Sequence, residues 1–113
     1  MNELNEKALE EVSGGWESDL EADFMNYISK AGRALTWAVN SYRSSGDTAR
    51  TQICSAALSE TMSALNDRLH GVPWSPIKVT VSRALTYLNV LDGKYPAEAR
   101  AALETVLTML AEY

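Results

Sequence analysis

Between Trp16 and Tyr42 apolar residues recur three and four positions apart, at Trp16, Leu20, Phe24, Tyr27, Ile28, Ala31, Leu35, Ala38, Val39 and Tyr42. This spacing predicts one long amphipathic helix, with Gly32 as its weak point. The stretch from Asp47 to Gly71 repeats the pattern with Ile53, Ala57, Leu58, Met62, Leu65 and Leu69. Asp47 is suited to cap its start and Gly71 to end it, so a second helix of about six turns is predicted. Ser75 supplies a capping hydroxyl directly before Pro76, a residue suited to the first helical position. A third helix is therefore predicted from that point, with a body of Val81, Ala84, Leu85, Leu88 and Leu91. Lys78 to Ser82 also alternates and is β-branched, but a lone strand there has no partner elsewhere in the chain, and helix is the better reading. Beyond Asp92-Gly93, Pro96 opens a fourth helix through Ala97, Ala101, Leu103, Val106, Leu107 and Leu110. Four helices with short connections predict an all-α fold, a small bundle preceded by a short N-terminal segment.

Composition narrows the classes of function. The 113 residues suit one domain, and 46% hydrophobic with 22% charged residues is ordinary for a folded chain. No run of 18 uncharged apolar residues occurs, so a conventional transmembrane helix is not expected. A net charge of −5 argues against nucleic-acid binding through an overall basic field. One cysteine, Cys54, and one histidine, His70, exclude an intramolecular disulfide, a cysteine-cluster zinc site and a histidine-rich metal site. These two lie sixteen residues apart with no third group to orient them, which makes Cys54 a small buried apolar residue in this reading rather than a nucleophile. No phosphate loop, zinc-peptidase motif or calcium loop is present, and neither a cofactor, a metal nor catalysis is expected.

The chain opens Met-Asn-Glu-Leu-Asn-Glu-Lys-Ala-Leu-Glu-Glu-Val-Ser-Gly-Gly. On a helix, Met1, Leu4, Ala8, Leu9 and Val12 fall within an arc of about 140°, with Glu3, Glu6, Glu10 and Glu11 mostly opposite. A hydrophobic groove would read that one face. At Gly14-Gly15 the lack of β-carbons lets extended backbone enter a narrow cleft. The segment has neither the basic start nor the long apolar core of a general secretory signal.

This segment resembles the double-glycine leader of bacteriocin and microcin precursors. Counting back from Gly15, that family places hydrophobic residues fourth, seventh and twelfth, where this chain has Val12, Leu9 and Leu4. The resemblance covers residues 1–15 only. It implies a leader recognised through Leu4, Leu9 and Val12 by a peptidase-containing ABC exporter, and a cut after Gly14-Gly15 that releases a helical cargo, residues 16–113, starting at Trp16. It further implies a cytoplasmic precursor, a secreted product with bacteriocin-like antibacterial action, a target membrane or envelope receptor, and scope for an immunity protein and a homo-oligomer.

The cargo departs from familiar small bacteriocins in its length, its few glycines and its lack of a disulfide. Without the leader its charge is −2, and residues 24–113 carry 9 basic against 7 acidic residues. Glu17, Asp19, Glu21 and Asp23 are spread around the helix and complement its N-terminal dipole instead of converging on a metal. Trp16, Trp37 and Trp74 are either interfacial anchors or packing residues; for Trp37 and Trp74 core packing or a loop plug is expected. Ala31, Gly32, Ala34 and Ala38 form a smooth face for close helix approach, with Lys30 and Arg33 beside it opposing deep lipid burial. The other reading that the chain supports is an intracellular helical interaction protein, a small regulator or immunity-type protein.

Overall fold

The fold is that of a computed structural model, which describes residues 19–113 together with the backbone bounds of the helix leading into them. Four helices follow in order: α1 (Leu4–Ser44), α2 (Thr48–Leu69), α3 (Trp74–Leu88) and α4 (Lys94–Met109). The positions Leu4, Leu9, Val12, Gly14, Gly15 and Trp16 lie outside the described residues. Connections of only a few residues force successive helices to run antiparallel. α1 packs on α2 and α4, and α3 packs on the same two. The result is an up-down-up-down bundle in which α1 lies diagonally across from α3.

The predicted apolar spacing builds the core. Phe24, Ile28, Leu35, Cys54, Ile77, Val81, Leu88, Leu103, Val106 and Leu110 are fully buried. Each large side chain removed from water in this way contributes about 1.5 to 3 kcal/mol. Ala31, Ala34 and Ala38 are buried too, so the smooth stripe of α1 serves close packing within the bundle. Gly32 lets α2 come close, because a β-carbon built there would lie 2.9 Å from the Met62 methyl. Lys78 to Ser82 is helical throughout, and no strand occurs among the described residues.

The helix ends show where local chemistry held and where packing overruled it. Asp47 caps α2 as expected, with Oδ1 accepting from the Arg50 backbone N–H at 3.1 Å. At the other end Gly71, at φ 82°, lets its own N–H reach the Arg68 carbonyl and the Val72 N–H reach that of Asp67. This is the paired-bond helix stop that favours glycine. The start of α3 departs from the expectation. Its first helical residue is Trp74, Pro73 takes the capping position, and no side chain caps it. Ser75 is thus inside the helix, and Pro76 is its third residue. Likewise α4 begins at Lys94 after Gly93, putting Pro96 third. Both prolines are tolerated because the first four N–H groups of a helix have no internal partner. Trp74 sets the earlier start of α3, since burying its ring requires the backbone to turn into the bundle before Ser75.

α3 also ends earlier than its apolar spacing predicts. Leu91 is buried, yet it lies beyond the helix end at Leu88. Arg100 reaches over from α4 and donates through one guanidinium nitrogen to the carbonyls of Leu88, at 2.8 Å, and Leu91, at 2.5 Å. The Leu88 carbonyl also accepts from the Leu91 N–H at 3.1 Å, so the cation from α4 adds to that turn and binds the Leu91 carbonyl beyond it.

Candidate functional site

Three regions carry the polar and aromatic side chains that the core does not absorb. The first is the end of the bundle at which α1 enters. Glu21 stands there on α1, Arg68 in the last turn of α2 and Trp74 at the first position of α3. The Arg68 Nε donates to Glu21 Oε2 at 2.8 Å, a second guanidinium nitrogen also bonds that oxygen, and the third donates to the Val72 carbonyl at 2.9 Å. The guanidinium lies 3.7 Å from the centroid of the Trp74 ring, which also packs edge-to-face with Phe24, centroids 5.1 Å apart and planes at 69°. Lys78 closes the same end by donating to the Ala111 carbonyl at 3.1 Å. Trp74 is therefore the packing residue the sequence suggests. The Arg68 guanidinium is held by Glu21, Val72 and the Trp74 ring together, and the chemistry of this cluster is that of a clasp.

The second region is the outer face of α1. Trp37 is 61% exposed, contrary to the expectation of core packing. Its indole stacks instead on Tyr95 of α4, with centroids 6.4 Å apart and planes at 23°. Lys30 and Arg33, seven and four residues before Trp37, share its exposed face, and Lys94 stands beside Tyr95. A shallow groove of about 430 Å³ runs past Trp37 along the seam of α1 and α2, lined also by Gly32, Arg33 and Met62. Met62 and Leu69, which the spacing places on the apolar stripe of α2, are exposed. Both lie at the edge of that stripe, on its α1 side, where the bundle leaves them uncovered.

The third region is the outer face of α3 and the turn after it, where Val79, at 53%, Tyr87 and Val90, at 73%, are exposed. Arg83 lies among them, and its Nε is 3.4 Å from Glu60 Oε1.

Cys54 and His70 are not brought together. Sixteen residues of α2 separate them by about 24 Å. Cys54 is fully buried, and burial pushes its thiol pKa up. His70 ends the helix in solvent, its Nδ1 2.8 Å from the Asn66 carbonyl. Among the described residues no group of His, Cys, Asp and Glu converges as metal ligands, and no helix is long and apolar enough to cross a membrane.

The outward turn of Trp37 had a signal in the sequence, since Lys30, Arg33 and Asn40 mark the polar side of α1 on which it falls. Stacking on Tyr95 had none, because it depends on how α4 is placed. No protein family, no curated protein and no solved structure matches this chain.

Proposed function

We propose that the chain is the precursor of a secreted, bacteriocin-like antibacterial protein, cut after Gly15 and exported by a peptidase-containing ABC transporter. The observation that carries this reading is the coincidence of Leu4, Leu9 and Val12 with the Gly14-Gly15 pair at the offsets of a double-glycine leader. The released cargo is a helical bundle starting at Trp16, and its target is the envelope of a neighbouring cell.

Incubation with the peptidase domain of the exporter from its own gene cluster tests the proposal by mass spectrometry. The expected product begins at Trp16. Replacing Gly14 by a bulky residue blocks the cut sterically, and Leu9→Ala weakens recognition by removing apolar area worth about 1 to 3 kcal/mol. Circular dichroism of residues 16–113 is expected to retain a cooperative helical melt. Intact protein after exposure to that peptidase, or a cut elsewhere, refutes the leader and ranks the intracellular interaction protein first.

A further inference from the structure

We infer that the patch formed by Trp37, Tyr95, Lys30, Arg33 and Lys94 is a docking surface for an anionic lipid bilayer. The inference rests on the envelope-directed part of the function proposed above and is independent of leader cleavage.

Three observations carry it. The stretch of α1 from Phe24 to Ser44 holds Lys30, Arg33 and Arg43 and no acidic residue, in a chain whose acids outnumber its bases by 15 to 10. Lys30, Arg33 and Lys94 are exposed, and none takes part in an ion pair among the described residues. At the centre stands the most exposed aromatic among the described residues, Trp37, in an offset stack with Tyr95.

Indole and phenol rings favour the level of the lipid headgroups, and cations nearby are attracted to anionic ones. The stacked pair presents both rings already ordered, so little side-chain freedom is lost on contact. A second copy of this chain fits the patch poorly, because a symmetric contact through it would set one basic patch against another. Val79, Tyr87 and Val90 on the α3 side are exposed too, but the cation among them, Arg83, is engaged by Glu60. Glu98, which lines a neighbouring groove with Lys30 and Tyr27, is the acid that opposes the attraction.

Co-sedimentation of the full chain at low ionic strength tests the surface, using vesicles of phosphatidylcholine with or without one third phosphatidylglycerol. Binding is expected only with phosphatidylglycerol and is expected to fall as salt is added. Arg33→Gln should weaken it about fivefold, the effect of one cation near such a surface. Trp37→Ser should weaken it at least as much, Glu98→Gln should strengthen it, and the pair Val79→Ser with Val90→Ser should leave it unchanged. Both Trp37 and Arg33 are exposed, so circular dichroism should show these variants folded; should Trp37→Ser unfold, Arg33→Gln and Glu98→Gln decide the matter.

The inference is overturned by absence of binding to either vesicle, by equal binding to both, or by loss of binding in the α3 pair but not in Arg33→Gln. Concentration-dependent dimerisation abolished by Trp37→Ser, without vesicle binding, would reassign the face to a second copy. Failure here alongside correct cleavage at Gly15 would leave the leader reading standing, and the reverse outcome would leave the lipid surface standing.

Discussion

Arg68 holds its guanidinium 3.7 Å from the centroid of the Trp74 ring while bonding Glu21 across the helix seam and the Val72 carbonyl behind it. One side chain thus ties α1 to α2 and to the turn that starts α3. Arg68→Ala is expected to lower stability by about 1 to 3 kcal/mol, through loss of the cation–π contact and of hydrogen bonds to a partly buried carbonyl. Arg68→Lys should recover little, because an ammonium lacks the planar fork that serves all three partners at once. Glu21→Gln should cost less than about 1 kcal/mol, since that carboxylate is partly open to water. Urea unfolding of the three variants checks the order.

At Gly32, a β-carbon would meet the Met62 methyl at 2.9 Å. The clash is with the free end of a flexible side chain, and Met62 is partly exposed with room to turn away. Gly32→Ala is therefore expected to stabilise the protein by up to about 1 kcal/mol, the gain in helix propensity outweighing the shift of Met62. Gly32→Leu should reverse the sign by forcing α1 and α2 apart. Thermal melts of both variants decide it.

Asp47 links stability to pH. The Arg50 backbone N–H, and then its guanidinium, hold the Asp47 carboxyl below its ordinary value. A carboxylate depressed in the fold stabilises at pH above its unfolded value, and that contribution is lost as pH falls through the folded value. The melting temperature is thus expected to drop in acid, with Asp47→Asn showing a smaller drop while keeping the helix cap. Melts at neutral pH and near pH 3 make the comparison.

Cys54 should be inert in the native protein. Complete burial shields the thiol, and desolvation raises its pKa, so the nucleophilic thiolate is scarce. A thiol reagent at pH 8 is expected to modify it only after denaturant is added. The linkage has the opposite sign to that of Asp47. A thiol kept neutral in the fold contributes stability below its unfolded pKa, and this is lost as alkaline pH lets the unfolded chain ionise. Modification of native protein at the rate of an exposed thiol would refute the burial.

The amphipathic spacing in α1, α2, α3 and α4 was sufficient by itself for helix number, order and type. A period near 3.6 can be read locally, and short connections leave antiparallel packing as the simple solution. Asp47 and Gly71 were equally legible, because a capping carboxylate and a left-handed turn residue act through bonds to their own neighbours. The leader pattern at Leu4, Leu9, Val12, Gly14 and Gly15 is likewise a matter of sequence alone.

Tertiary structure decided whatever depended on a distant partner. Trp74 became the first residue of α3 because its ring has to reach Phe24 and Arg68, so Ser75 does not cap the helix. Leu91 is buried although α3 has already ended, in a turn closed by its own N–H on the Leu88 carbonyl and held by Arg100 from α4. Trp37 and Trp74 are the same residue type on similar amphipathic helices, yet one faces water and the other the core. Hydrophobicity states how much a side chain gains from burial, whereas the packing of α4 and α2 around α1 states which face has room to bury it.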